Sequence, residues 1–273
     1  MKALAPGACK TDKIDARLLA ELSRRDLVPA LWLPNLDERA LRERLRRRMH
    51  LVRLRTSAKT RVFGLLTQWG VRLPLARLRQ ADGLELLESR GVPETWRRSI
   101  AEALCLIDYL DERLGPLERE LRPLARQDTR VALLKTIPGV GELLGLTIAT
   151  EIGDIARFNA PEKLVGYSGL TPRVKQSGQS ARTGKLSKSG SRLLRWAAVE
   201  AAQSAWRKTN PWHQLYVDVT RRHGKSNPAK SAVARKVLIA AWHVLARNEP
   251  FKPCRPRGGA DPVPASSPDA LAA

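Results

Sequence analysis

No carboxylate interrupts the chain between Glu162 and Glu200, although Lys163, Arg173, Lys175, Arg182, Lys185, Lys188, Arg192 and Arg195 all lie there. A segment so composed excludes a cationic ligand and attracts a polyanion. Cysteine is scarce. Cys9, Cys105 and Cys254 are odd in number, far apart and without metal spacing, so they predict free thiols in a reducing compartment. His50, His213, His223 and His243 form no metal-ligand pattern with them and carry no functional signal. His243 sits in an apolar helical pattern and is expected to be a hydrogen-bonded structural residue. No apolar run approaches ~18 residues, which excludes a spanning helix. The opening MKALAPGACKTDK lacks the apolar core of a signal peptide. No repeat of fixed period is present. Strand signals are poor throughout, so the expected fold class is mainly α.

What the chain does hold is positive charge. Its 273 residues carry 49 Lys and Arg against 27 Asp and Glu, a formal net charge of +22. The excess is clustered, and it points to DNA or RNA, where neutralising phosphates releases counterions. A hydrophobic share of 43% is enough for a proper core.

Helical periodicity organises the chain. TDKIDARLLAELSRR reads as a helix capped by Thr11 or Asp12, with Ile14, Leu18, Leu19 and Leu22 as its stripe. A long helix pattern runs from Leu36 to Gly70 on Leu41, Leu45, Val52, Val62 and Leu66. Its basic flank, including Arg46, Arg47, Arg48, Arg53 and Arg55, is expected to meet nucleic acid. Val71 to Pro93 is a connector with some helix. From Thr95 to Leu124 a heptad appears: Ile100, Ile107, Leu114 and Leu121 take one seam position, and Ala103, Leu110, Leu117 and Leu124 the other. Gly115-Pro116 predicts an interruption and a kink. The two long helices pair as a hairpin within one chain, or the seam dimerises; the pattern allows both. Helices are further expected over Gly190–Trp206, Asn210–Arg222 and Pro228–Arg247, with Trp196, Trp206, Trp212 and Trp242 in the core. The Pro/Ala/Gly/Ser-rich end from Pro250 is expected to be disordered.

Three motifs carry chemistry. Ile137-Pro138-Gly139-Val140-Gly141 lies between helical segments and has the layout of a helix-hairpin-helix, a backbone binder. Here Pro138, Gly139 and Gly141 are candidate DNA-binding residues, with a tight helix–helix turn as the plain alternative. In the basic loop, a serine nucleophile needs an exposed hydroxyl and donors for the charge developing on phosphorus. Ser177 precedes Gly178, with Arg173, Lys175 and Arg182 around it and Lys185, Lys188, Arg192 and Arg195 beyond. Ser180, Ser187, Ser189 and Ser191 compete with it on spacing alone, and Ser189 or Ser191 fits a helix cap. Asp12 and Asp15 share one helix face and are candidate metal ligands, though such pairs are ordinarily solvated.

Taken together these segments resemble the insertion sequence one-ten family, transposases related to the Piv DNA invertase and guided by a bridge RNA. KTDKIDA, LWLP, the arginine-rich helix, LLKTIPGVG, LVGYSGLTP, QSG and GKLSKSGSRLLR occur in the family's order, and the likeness extends to about Leu245. The resemblance implies a RuvC-like domain of RNase H fold with an Asp-Glu-Asp-Asp set for Mg²⁺, a coiled-coil region and a C-terminal transposase domain. By that match Ser177 is the nucleophile, and Asp12 and Asp15 are the last two acids of the set. It also implies DNA and a guide RNA as partners, a dimer or tetramer, no membrane, and a cytoplasmic, nucleoid-associated bacterial protein. The corresponding domains are 1–25 (a RuvC-like remnant), 26–128 (helical coiled-coil region), 129–249 (transposase domain) and 250–273 (tail). The family's first two acids lie well upstream of KTDxxDA, where this sequence has only eleven residues before Asp12. The expectation is therefore an incomplete metal site, an apolar stripe left exposed on the first helix, and no transposition by this polypeptide alone. The rival classes are a non-enzymatic helix-hairpin-helix DNA-binding protein and an RNA-binding scaffold built on the arginine-rich helix.

Overall fold

The computed structural model describes residues 11–28, 32–177 and 180–253; the side chains of 174–177 and 180–183 lie outside what it describes. The chain divides into two compact units, Met1–Arg39 and Ala40–Ala273.

In the first unit, α1 (Asp12–Arg24) begins at Thr11, whose hydroxyl accepts from the Ile14 N–H at 3.4 Å. Asp12 and Asp15 occupy its first turn, where carboxylates complement the helix dipole. Glu21 binds Arg24 and Arg25 in the last turns. No described residue of α1 is buried, and Ile14 and Leu19 are exposed. Of the apolar stripe, Ile14 and Leu19 are thus uncovered, while Leu18 and Leu22 are half-buried. The α2 helix (Leu36–Gln68) also starts here, with the Asn35 side chain accepting from the Glu38 N–H at 2.8 Å.

The second unit opens with the rest of α2, then α3 (Leu75–Leu78), α4 (Gly83–Ser89) and α5 (Glu94–Gln127). The α2 and α5 helices run antiparallel: Arg48 binds Glu118, Arg55 binds Asp111, and Gln68 accepts from the Trp96 indole N–H. Partner numbers fall on one helix as they rise on the other. The seam therefore closes inside one chain. Ile100, Ile107, Leu110, Leu114, Leu117 and Leu121 are buried, as the heptad predicts, and Leu104 and Ala125 join them. Each such leucine or isoleucine stabilises by about 1.5–3 kcal/mol through water exclusion. The expected interruption at Gly115-Pro116 does not end the helix, since α5 continues through Pro116 and Pro123. A proline removes one helical N–H bond, a loss the seam's burial outweighs.

Beyond α5 come α6 (Thr129–Leu134), α7 (Glu142–Ile152), a 3₁₀ turn Ile155–Arg157 and α8 (Pro161–Ser168). A hairpin of β1 (Pro172–Ser177) and β2 (Ser180–Leu186) follows, then α9 (Arg192–Ala201), a 3₁₀ turn Ala202–Trp206, α10 (His213–His223) and α11 (Ser226–Arg247). The α11 helix is the hub, touching α6, α8, α9 and α10. Alanines on both α9 and α11, among them Ala197, Ala198, Ala201, Ala234 and Ala241, are fully buried and let these helices approach closely.

Mainly α is the observed class, and the one described hairpin falls where strand signals are poor. Arg-Val-Lys-Gln-Ser is too polar to carry an apolar alternation, so its signal lay below the helical background. Residues 250–253 also depart from a free tail: the Phe251 N–H donates to the Thr136 hydroxyl at 2.8 Å, and its ring meets Trp212 at 5.5 Å. Residues 254–273 lie outside the described residues. Trp206 is 61% exposed rather than core. His243 lacks the hydrogen bond expected of it, for its Nδ1 is buried without a partner. Among the described residues no helix is long and apolar enough to cross a membrane.

Candidate nucleic-acid interface

The hairpin is anchored at its base by two glycines. Gly169 (φ 72°) and Gly190 (φ 114°) take backbone angles that side chains disfavour. A Cβ on Gly190 would strike the Tyr167 carbonyl, and one on Gly169 would strike the Ser189 carbonyl. Both approaches are cemented by hydrogen bonds. The Ser191 N–H donates to Tyr167 O at 2.8 Å, Lys188 N–H to Gly169 O at 3.0 Å and Ser187 N–H to Thr171 O at 2.8 Å. Arg195 clamps the same crossing, donating from Nη1 to Ser168 O at 2.9 Å and Lys188 O at 3.1 Å. Burial and the neighbouring Arg192 charge lower the affinity of the Arg195 guanidinium for its proton. Arg195 therefore holds the loop, whereas Lys185, Lys188 and Arg192 are exposed. Arg173 is exposed too and donates to Ser187 O at 3.2 Å.

Above this base the strands pair antiparallel, with Lys175 opposite Arg182 and Ser177 opposite Ser180. Ser177 thus ends β1 at the hairpin tip. The Ser177, Lys175 and Arg182 side chains, and all of Gly178, lie outside the described residues.

The turn before α7 divides its two glycines between different tasks. Gly139 (φ 89°) is pressed against the chain itself: a Cβ there would strike the Ala201 carbonyl and come within 2.7 Å of the Ser204 hydroxyl. Gly141 caps α7 and faces open space. The helix's positive end already has a carboxylate in Glu142, which Arg126, Arg122 and Lys135 surround. The Arg126 hydrogen bond is the main reason its carboxyl titrates below the usual range.

The far end of α7 is where the unit is tied together. Arg42 donates to Thr150 O (2.9 Å) and Glu151 O (3.2 Å), Arg157 to Ile152 O (2.9 Å), and Arg130 to Gly153 O (3.3 Å). Guanidinium groups there complement the negative helix terminus. The Arg157 guanidinium also lies against the adjacent rings of Phe158 and Tyr167, at 4.3 and 4.5 Å from the ring centroids. Glu151 is buried, and its carboxylate accepts from the Ser191 hydroxyl at 2.7 Å and from Arg46 at 3.5 Å. Ser191 in turn caps α9, accepting from the Leu194 N–H at 3.1 Å. Beside this junction lies a cavity of about 430 Å³ whose walls include Arg46, His50, Arg53, Glu151 and Arg192.

The arginine-rich helix is therefore split in purpose. Arg48 and Arg55 are held by carboxylates of α5, and Arg42 by carbonyls. Burial pushes the Asp111 carboxyl up, but hydrogen bonds from Arg55 and Arg79 outweigh it and hold it below the usual aspartate value. Arg47 and Arg53 are exposed. Sequence reasoning passed over His50 and Glu151. The spacing of Arg46, His50 and Arg53 on one helix face was the available signal for the first; Glu151 has a partner forty positions away and gave none. Asp12 and Asp15 stand on α1, and among the described residues no group of three or more His, Cys, Asp or Glu side chains is poised for a metal. Two carboxylates on one turn of an exposed helix do not make a cage for a divalent ion.

A helical framework that carries a hairpin of basic sequence and a basic cavity has the charge that suits a polyanion. Comparison with known proteins sharpens that reading. Residues 131–218 match the family described as Transposase IS116/IS110/IS902, and residues 1–70 match the IS110 DEDD transposase family. The chain belongs to this transposase family. It is 28% identical over 256 residues to the transposase for insertion sequence element IS1111A of Coxiella burnetii, covering 89% of this chain and 68% of the relative. A probable family 20 transposase of Pseudomonas aeruginosa is 26% identical over 254 residues, covering 89% and 74%. The pilin gene-inverting protein of Moraxella bovis is 29% identical over 248 residues, covering 89% and 68%.

Proposed function

We propose that this insertion-sequence protein binds element DNA and breaks and rejoins strands with Ser177 as the nucleophile. The observation that carries the reading is the register of the hairpin. Lys175 stands opposite Arg182, next to the Ser177–Ser180 pair, in a stretch with no carboxylate from 163 to 199. Like charges directly across a ladder are unfavourable unless an anion joins them. Guanidinium and ammonium groups beside a hydroxyl suit a phosphodiester: they can orient it and neutralise the charge that builds up as oxygen attacks phosphorus. The serine oxygen forms a bond to phosphorus, the bond to one strand oxygen breaks, and that oxygen departs as a hydroxyl carrying one proton for the one serine loses. Attack by a second strand's hydroxyl reverses the step, so one phosphodiester is conserved throughout and no nucleotide is hydrolysed. A guide RNA, a homo-oligomer and Mg²⁺ belong to the same reading by resemblance. Because Asp12 and Asp15 alone do not fit a metal, no step here runs through one. Gly141, where a Cβ would meet nothing, would serve as a backbone contact, while Gly139 would act by packing.

The test is a covalent adduct. The full chain is incubated with element-end DNA, the matching RNA and Mg²⁺, then run on a denaturing gel. A shifted band that disappears in Ser177→Ala and persists in Ser180→Ala is expected. A band that survives Ser177→Ala, or one lost only in Ser180→Ala, refutes the assignment.

A further inference from the structure

We infer that the cavity between α2 and the start of α9 is a second DNA-phosphate site, at the base of the hairpin, formed by Arg46, His50, Arg53 and Arg192. It rests on the DNA-cleaving reading above and adds to it a place where the strand is gripped away from the serine.

The argument begins with spacing. Positions 46, 50 and 53 fall on one face of α2, because i, i+4 and i+7 align on a 3.6-residue helix. That face borders the cavity, whereas Arg48 and Arg55 are occupied by Glu118 and Asp111 of α5. Among the described residues no carboxylate pairs with Arg53 or Arg192. The start of α9 also lines the cavity, through its cap Ser191 and its first residue Arg192. A helix start is favourable ground for an anion, and the arginines give this one a reason to hold it.

Charge decides what the cavity admits. Arg46, Arg53 and Arg192 meet a single carboxylate, Glu151. That carboxylate is 3% exposed, and its oxygens receive the Ser191 hydroxyl and Arg46. Glu151 is thus a positioning residue that fixes one guanidinium and the cap of α9, leaving an excess of two positive charges. The Arg46 side chain is 55% exposed, so the pocket opens to solvent, and about 430 Å³ exceeds what a single phosphate group needs.

Geometry favours DNA over another polyanion. The pocket runs into β2 through Ser187 to Ser191, so pocket and hairpin are one continuous structure. Five intervals along β1, at about 3.3 Å each, separate Pro172 at the base from Ser177 by roughly 17 Å. Successive phosphates of a duplex strand advance about 3.4 Å along the axis while turning around it, so a separation of this size lies within reach of one strand.

The experiment uses the full chain and a fluorescein-labelled duplex of about two helical turns, with binding read by anisotropy across a KCl series. Arg53→Ala and Arg192→Ala are each expected to weaken binding several-fold. Each should also reduce the slope of log K against log salt by about 0.9, the value of one lost phosphate contact. Arg90→Ala, at the exposed end of α4, is the control and should keep the wild-type slope. Slopes for Arg53→Ala and Arg192→Ala equal to the control, with native circular dichroism, overturn the site. Losses seen only with single-stranded RNA of the same length overturn its assignment to DNA. Ser177→Ala keeps the slope while losing the covalent adduct, so failure of the nucleophile and failure of the pocket give different results.

Discussion

Removal of the Glu151 carboxylate should cost the second unit a readily measured part of its stability. Glu151→Ala deletes a 3% exposed side chain that accepts the Ser191 hydroxyl at 2.7 Å and faces Arg46 at 3.5 Å. A hydrogen bond to a buried charged group stabilises by about 1.5–3 kcal/mol. The Arg46 side adds little, because that guanidinium is 55% exposed and returns to water when its partner goes. Ser191 keeps its bond from the Leu194 N–H, so the α9 cap survives. The expected loss is therefore about 2–3 kcal/mol, below the 3–5 kcal/mol typical when a fully buried pair is broken. Urea denaturation followed by circular dichroism measures it. Glu151→Gln should recover most of the loss, since its amide oxygen still accepts from Ser191. A double-mutant cycle with Ser191→Ala should return a coupling of about 1–2 kcal/mol. A loss under about 0.5 kcal/mol for Glu151→Ala, or zero coupling, would show that the carboxylate does not hold the junction.

Two further predictions address the turn and the cap. Gly139→Ala must place a Cβ against the Ala201 carbonyl at φ 89°, and should destabilise by more than about 2 kcal/mol, whereas Gly141→Ala faces open space and should cost about 1 kcal/mol or less. Thermal unfolding of the pair distinguishes them, and equal losses would refute the packing role given to Gly139. At Asp128, which caps α6 from its side chain, burial raises the carboxyl, but the hydrogen bond and charge of Arg130 and the backbone N–H bonds of Arg130 and Val131 together outweigh it, and the net pKa lies below the ordinary value of 3.8. A depressed folded-state pKa contributes stability that is present above 3.8 and lost as pH falls through the lower folded value. Asp128→Ala should therefore cost about 1 kcal/mol at neutral pH, and the difference from wild type should shrink as pH falls below that value; a difference independent of pH would contradict it.

Long helices were legible because their signal repeats. Four heptads of α5 announce themselves at Ile100, Ile107, Leu114 and Leu121, and each of these is buried where the seam was drawn. The Ser191 cap was legible because a hydroxyl before an apolar run has a local meaning, and its acceptor contact with Leu194 bears this out. The hairpin was not, since two mostly polar strands pair through their backbones and leave no apolar period. Nor was the junction at the end of α7. Arg42 meets Thr150 across 108 positions and Ser191 meets Glu151 across 40, and no local pattern encodes such pairs. Gly139 stands in the sequence as a DNA-contact candidate or as part of a tight helix–helix turn, and in the structure it is the Ala201 carbonyl that comes close to it. A glycine in a turn signals close approach without naming what approaches.

That junction bears on how the excess charge should be understood. A net charge of +22 suggests a surface wholly given over to polyanions, yet several arginines of α2 are already committed inside the protein. Arg42 supplies the carbonyls of α7, Arg48 and Arg55 the carboxylates of α5, and Arg46 divides between Glu151 and the open cavity. The same helix therefore does two kinds of work along one length. Its committed arginines fix α2 to α5 and to α7, and that fixity sets where Arg53 and His50 stand relative to Arg192. A guanidinium held in place loses less entropy when it meets a phosphate than one free on a surface. Charge spent on the framework is thus not withdrawn from binding; it orders the charge that remains. The consequence is that substituting a framework arginine such as Arg48 should weaken DNA binding through position, leaving the salt slope near that of wild type, while substituting Arg53 should change the slope itself.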